Sequence, residues 1–89
     1  MELTDIRSRI DDIDDKMVSL FLERMRCSEM VAKVKIEKNL PVLSEKRENE
    51  IIERLCAGKN AEDARAIEAL YRKIFEISRS RQTLLMERA

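Results

Sequence analysis

One pattern in the first part of the chain leaves few folds open to it. Between Asp5 and Lys38, apolar side chains recur at alternating steps of four and three residues. They are Ile6, Ile10, Ile13, Met17, Leu20, Cys27, Val31 and Val34. This heptad spacing is typical of one long helix that packs along its length against other helices. The sequence therefore predicts an all-α protein organised around this helix.

Arg24 interrupts that apolar face. It stands where the spacing would place an apolar side chain, between Leu20 and Cys27. A buried guanidinium is unfavourable unless an anion meets it. Lys35 follows eleven residues later, which is roughly 20° beyond three full turns and roughly 16 Å along the axis. The two cations therefore share a face and predict a site for a small anion.

Length and composition limit the number of domains and the classes of function that are expected. The 89 residues predict a single domain, 1–89, and the one Gly and one Pro favour helices throughout. Lys and Arg together number 18, as do Asp and Glu, so a general nucleic-acid binder is not expected. The absence of His and of clustered cysteines predicts no metal site, and Cys27 and Cys56 are expected to be reduced and buried. No stretch has the character of a membrane span or a signal peptide, so we expect a cytoplasmic location.

Two shorter helices are predicted after the first one. Pro41 prevents the first helix from continuing, and Ser44 is a suitable N-cap for a second helix over 45–57. Asn60 is a suitable N-cap for a third helix over 61–87. The first helix, near 50 Å long, exceeds the roughly 30 Å width of a compact domain of this size. A second copy is the simplest way to cover it.

Polar residues also interrupt the two shorter helices. Arg47 and Glu48 lie in the first turn of the second helix, and Ser78 and Gln82 share one face of the third. From spacing alone, the favoured interpretation of Arg47 is a solvent-exposed residue paired with a neighbouring Glu. Spacing also leaves open whether Ser78 and Gln82 simply bond each other or nearby carbonyls. Taken together, these donors and cations suit a small dianion and a reaction that needs only orientation and charge stabilisation.

Several short stretches, in this order and at this spacing, resemble the all-helical chorismate mutases. They are Ile6–Asp14, Leu22–Arg24, Val31–Lys35, Leu40–Val42 and Arg47–Glu48, followed by Ser78 and Gln82. The resemblance extends from Leu3 to about Leu85 and implies an intertwined homodimer with two equivalent active sites. The implied reaction is the Claisen rearrangement of chorismate to prephenate, without a cofactor. This reaction belongs to the shikimate pathway and leads to phenylalanine and tyrosine.

The resemblance also implies which residues are catalytic. Lys35 and Gln82 would donate hydrogen bonds to the ether oxygen of chorismate, where negative charge grows in the transition state. Arg24 would bind a substrate carboxylate, for which bidentate guanidinium geometry is well suited.

Other residues would bind the substrate. The partner's Arg7 would hold the second carboxylate across the subunit interface. Antiparallel pairing of two copies about their midpoints, near residue 21, independently predicts this arrangement, because it brings the partner's Arg7 opposite residue 35. Glu48 would accept a hydrogen bond from the ring hydroxyl, and Arg47 and Ser78 would give supporting contacts. Ser44 stands where the family often has an acidic residue, so a substrate contact from this side chain is not expected.

Two other functions compete with the mutase. Isochorismate-pyruvate lyases resemble this chain in fold and in their cationic pocket, although Glu48 and Gln82 favour the mutase. A non-catalytic helical dimerisation module would explain the heptad spacing, but it gives no reason for Arg24 or for Lys35 in phase with it. The sequence leaves open whether the chain is a stand-alone enzyme or a domain of a larger one.

Overall fold

A computed structural model describes residues 1–89 as three helices and no strands. The helices are α1 (Leu3–Lys38), α2 (Glu45–Cys56) and α3 (Ala61–Arg88). The prediction of an all-α chain with a long first helix is confirmed, and every predicted helix end lies within two residues of the observed one. No helix combines the length and apolar character that crossing a bilayer requires.

Local sequence explains where the helices begin and end. α1 is followed by Asn39, its C-cap, which adopts a left-handed conformation with φ of 55°. Ser44 and Asn60 cap α2 and α3 as predicted, and each side chain accepts a hydrogen bond from a first-turn N–H, at 3.4 Å and 2.8 Å. Gly58, just after α2, has a φ of 74°, a conformation that a residue with a Cβ rarely adopts.

α3 packs against both other helices, which flank it. Ile51 and Ile52 of α2 and Phe75 of α3 form a small buried cluster, with Leu55, Cys56 and Tyr71 packed against it. The side-chain bonds between α1 and α3 join Arg24 to Ser78 and, one turn further along both helices, Ser28 to Gln82, so the two helices run parallel. This arrangement brings polar residues of α1 and α3 together beside the first turn of α2.

The face of α1 that meets α3 is not the heptad stripe. Met25, Ser28 and Ala32 are the buried residues of α1, whereas Leu20 of the stripe is 64% exposed. Small side chains at two of the three buried positions let the helices approach closely, so this face turns inward. The prediction that both cysteines are buried is wrong for the single chain, because Cys27 is exposed and Cys56 only partly buried; both are free thiols.

The chain is long and poorly covered for its size. It measures 54 × 27 × 14 Å and has a radius of gyration of 16.3 Å. A compact domain of this length would have a radius of gyration of about 12 Å. The accessible surface is 7091 Å², compared with about 5,400 Å² for a folded monomer of this mass. The single chain therefore leaves much apolar surface open along α1.

Candidate active site

One cavity opens between the three helices and the segment that precedes α2. Its volume is about 290 Å³, close to the lower limit of about 300 Å³ for small-molecule sites. The predicted site residues that line it are Arg24, Lys35, Arg47, Glu48, Ser78 and Gln82. Arg7 is exposed on the first turns of α1 and does not line the cavity. The structure thus brings together every predicted site residue except Arg7.

Arg24 is held in place without an anionic partner. Its guanidinium carbon lies 5.8 Å from the ring centre of Tyr71 and 5.7 Å from that of Phe75. Its Nη1 donates a hydrogen bond to Ser78 Oγ at 3.3 Å. None of the ion pairs within the chain involves Arg24. Two aromatic rings and a hydroxyl therefore position a cation whose other N–H groups remain available to a ligand.

Ser78 and Gln82 do not bond each other. Ser78 is buried, and its hydroxyl lies 3.8 Å from Met25 Sδ as well as accepting from Arg24. Gln82 is also buried, and its Nε2 donates to the carbonyl of Ser28 at 3.0 Å and to the hydroxyl of Ser28 at 2.9 Å. Both polar residues of α3 are therefore satisfied by α1, and the two helices are joined at the cavity wall.

Ser28 was not among the predicted site residues. It lies one turn after Arg24 and two turns before Lys35, so the three share a face of α1. The sequence did contain a signal for Ser28, because a small polar residue stands between two cations on the same face of the helix. Because Gln82 has two amide hydrogens and Ser28 binds both, the bond to the rotatable Ser28 hydroxyl is the one that a ligand can replace.

Lys35 is fixed by the segment before α2. Its Nζ donates a hydrogen bond of 2.7 Å to the main-chain carbonyl of Val42. An ammonium group has three hydrogens, so two remain for a ligand. No carboxylate of the chain pairs with Lys35, and the residue is only partly exposed at the cavity.

The first turn of α2 contributes one free cation and one paired anion. Arg47 is exposed at the cavity and forms no ion pair, so the interpretation that it pairs with a neighbouring Glu is wrong. Glu48 is partly buried and pairs with Arg79 of α3. Arg79 was also missed, although it directly follows Ser78 and lies three residues before Gln82, both of which were predicted site residues.

The charges of the lining are strongly unequal. Four cationic side chains and a single carboxylate surround the cavity. A cleft lined mostly by one sign of charge attracts small ions of the opposite sign. The arrangement can therefore bind a small dianion, orient it and stabilise negative charge that develops within it.

The chain is similar in sequence to proteins of known function. The family model described as chorismate mutase type II matches residues 6–83. The chain is 34% identical over 79 residues to a chorismate mutase of Methanocaldococcus jannaschii, an alignment that covers 85% of this chain and 75% of that protein. No solved structure gives a significant match.

Two longer relatives match over a small part of their own length. The T-protein of Haemophilus influenzae is 35% identical over 78 residues, which cover 85% of this chain and 21% of that protein. A bifunctional chorismate mutase/prephenate dehydratase of Aquifex aeolicus is 35% identical over 54 residues, covering 61% of this chain and 15% of that protein. The present chain therefore corresponds to a short segment of each of these two proteins.

Proposed function

The chain belongs to the chorismate mutase type II family, and from this premise we propose how its cavity rearranges chorismate to prephenate. It is a chorismate mutase, an enzyme of the isomerase class. The substrate carries two carboxylates, a ring hydroxyl and an ether oxygen. In the reaction the ether C–O bond breaks while a C–C bond forms, with no proton transfer and no cofactor.

One observation carries the proposed mechanism. Arg24, Lys35 and Arg47 meet at one cavity, and none of them has an anionic partner within the chain. Unpaired cations, two of which are held in place by hydrogen bonds, are suited to a dianionic substrate and to charge that grows during the reaction. The rearrangement needs orientation and electrostatic stabilisation, and these side chains supply both.

Lys35 and Gln82 act on the ether oxygen. Negative charge accumulates there as the C–O bond lengthens, so hydrogen bonds donated to this oxygen stabilise the transition state more than the substrate. The Val42 carbonyl holds the ammonium of Lys35, and the Ser28 carbonyl holds one amide hydrogen of Gln82. The Ser28 hydroxyl rotates away, and the ether oxygen takes its place as the acceptor of the second amide hydrogen of Gln82.

Arg24 binds a carboxylate of the substrate, and Arg47 and Ser78 support the bound ring and its carboxylate. The contacts of Arg24 with two aromatic rings and with Ser78 restrict its side chain before the substrate arrives. Less side-chain entropy is then lost on binding. Glu48 accepts a hydrogen bond from the ring hydroxyl.

A second copy of the chain completes the enzyme. The accessible surface exceeds that of a compact monomer by about 1,700 Å², while a standard interface buries about 800 Å² per partner. An apolar groove lined by residues such as Met17, Phe21 and Ile74 lies open between α1 and α3. An intertwined, antiparallel homodimer covers these surfaces and brings the partner's Arg7 to the cavity, where it binds the second carboxylate.

The activity is tested by following the loss of chorismate absorbance and identifying the product by chromatography, with isochorismate in parallel. Prephenate from chorismate is the expected result. Pyruvate and salicylate from isochorismate, with little prephenate, would assign the chain to the lyases instead. Arg24→Leu should abolish turnover while the dimer persists, and Arg26→Leu is the matched control because Arg26 lies outside the cavity. An inactive parent whose dimer is altered by Arg24→Leu would indicate a structural module.

The position of Arg7 is tested by mixing subunits. Arg7→Met and Arg24→Leu dimers should each be inactive, because every site lacks one guanidinium. If Arg7 acts across the interface, each mixed dimer has one intact site, and random exchange restores about a quarter of parental activity. If Arg7 serves its own chain, no mixed dimer has an intact site and activity does not return.

A further inference from the structure

Arg79 lines the cavity, yet none of the roles described above uses it. Its Nη1 donates a hydrogen bond to Glu48 Oε2, which links α3 to the first turn of α2. The Glu48 side chain is 16% exposed, less than any other carboxylate that forms an ion pair in this chain. This ion pair is therefore the one that solvent screens least.

We propose that Arg79 is a positioning residue that keeps Glu48 away from the substrate-binding cations and presents it to the ring hydroxyl. The inference rests on the proposed function and adds a specificity element to the same site. Glu48 is the only anion in a lining that also contains Arg24, Lys35 and Arg47. A carboxylate without a tether would pair with one of these cations and compete with the carboxylates of the substrate.

The hydrogen bonds of the pair support this role. Arg79 engages Oε2 of Glu48, and no other side chain bonds either carboxylate oxygen. Oε1 therefore keeps its capacity to accept a hydrogen bond from a hydroxyl. The positive charge of Arg79 also offsets the repulsion between Glu48 and a dianionic ligand.

The chain contains a matched control for this pair. Arg81 lies two residues further along α3 and donates a 2.6 Å hydrogen bond to Glu29 of α1. Neither residue lines the cavity. Arg81→Met thus removes an interhelical ion pair from the same helix without altering the proposed site. Thermal unfolding of Arg79→Met and Arg81→Met shows whether the two substitutions affect folding alike.

The test is steady-state kinetics with chorismate for the parent, Arg79→Met, Arg79→Lys, Glu48→Gln, the Arg79→Met/Glu48→Gln double variant and Arg81→Met. The bond to the hydroxyl exists in both the ground state and the transition state. Arg79→Met should therefore raise KM about tenfold and change kcat less than about threefold. Arg79→Lys should recover most of the loss, and Arg81→Met should leave KM within about twofold of the parental value.

The double variant separates a positioning role from a direct one. In the Glu48→Gln background, Arg79→Met should add less than about a twofold further loss, because Arg79 acts through Glu48. A full additional loss would mean that Arg79 contacts the substrate itself, and an unchanged KM in the single variant would mean that it positions nothing. Either outcome overturns the proposal. An analogue with hydrogen in place of the ring hydroxyl should lose less affinity than chorismate in Arg79→Met, because it keeps the carboxylates that compete with Glu48 but has no hydroxyl bond to lose.

Crystal structures of the parent and Arg79→Met separate failure of this inference from failure of the proposed function. A parent that does not turn over chorismate would overturn the proposed function alone. Movement of the Glu48 carboxylate onto Lys35 or Arg47 in Arg79→Met would still support the positioning role. A carboxylate that stays in place without Arg79 would overturn it.

Discussion

The two halves of α1 carry the same heptad stripe, but only the second half has a further face that is covered. In the first half, Ile10 is 48% exposed and Met17 is 51% exposed. In the second half the stripe is just as open, with Val31 45% and Val34 46% exposed, but Met25 and Ala32 on the neighbouring face are almost completely buried, at 2% and 0%. The difference arises because the buried contact with α3 begins only at Met25. Heptad spacing thus indicates that a helix packs against other helices, but it does not indicate whether those helices belong to the same chain or to a second copy.

The two halves also differ in how their cationic side chains are held. The second half holds Arg24 and Lys35 with aromatic rings, a hydroxyl and a main-chain carbonyl, and leaves both without anions. In the first half Arg7 is simply exposed on α1. If a second copy covers the first half, Arg7 becomes part of the partner's cavity. Association and catalysis then depend on the same helix.

The largest effect is expected from placing charge on the uncovered half. The double substitution Ile10→Asp/Ile13→Asp puts carboxylates where we propose that the partner packs. Burying unpaired charges is strongly unfavourable, so we expect the dimer to dissociate and kcat/KM to fall more than about 1000-fold. Sedimentation and steady-state kinetics measure both changes. Ser8→Asp, on the opposite face of α1, is the control, and a fully active double-variant dimer would show that this stripe is not the interface.

The next effect is expected in the covered half. Lys35→Met removes a donor to the ether oxygen and should remove about 2–4 kcal/mol of transition-state stabilisation. We expect kcat to fall roughly 30- to 1000-fold with a smaller change in KM. Lys33→Met is the control: it removes a cation on the exposed side of α1 and should leave kcat and KM nearly unchanged. If Lys35→Met retained near-parental kcat, the role given to Lys35 would be wrong.

A smaller effect is expected from Ser28→Ala. Gln82 then keeps the main-chain carbonyl of Ser28 but loses the hydroxyl that also orients its amide. Because the terminal torsion of Gln is broad and this hydroxyl orients the amide only until the substrate replaces it, we expect kcat/KM to fall about three- to tenfold, with a smaller change in kcat and the dimer intact. Ser80→Ala, at an exposed position of α3, is the control. No change in kcat/KM would show that the carbonyl of Ser28 alone positions Gln82.

The smallest effect on catalysis is expected at the turn between α2 and α3, which belongs to neither half of α1. Gly58 has a φ of 74°, and an added Cβ would meet no atom within 4 Å. Gly58→Ala should therefore lower the free energy of unfolding by about 1 kcal/mol through backbone strain alone. Denaturant unfolding measures this loss while kcat stays parental. A large fall in kcat would show that modest destabilisation also disturbs the cavity.

Most of the fold was accessible from the sequence because local signals coincide with the helix ends. Ser44 and Asn60 are strong N-caps, and Pro41 and Gly58 mark the breaks on either side of α2. The inward face of α1 was not accessible. The regularly spaced apolar side chains lie on the heptad stripe, whereas the contact with α3 uses Ser28 and Ala32 beside Met25, and the small size of these two residues is favourable only once a neighbouring helix is known.

The candidate site was accessible in part for a similar reason. Arg24 stood out because it breaks an apolar pattern on its own helix. Ser28 and Arg79 did not, because the contact that gives each its importance is distant in the sequence. Ser28 bonds a residue 54 positions away, and Arg79 bonds one 31 positions away. The same holds for the Val42 carbonyl at Lys35, since a main-chain acceptor leaves no sequence signal.

The amino-acid order was sufficient to establish the helices, their caps and the cations that are in phase along α1, because helical periodicity depends only on near neighbours. Which polar groups pair was settled by the packing of α3 between α1 and α2, because hydrogen bonds between helices depend on approach and register. In that packing, Arg24, Lys35 and Arg47 have no anionic partner, and Glu48 forms an ion pair with Arg79. A charged lining becomes a selective site only when such pairings decide which charges remain free.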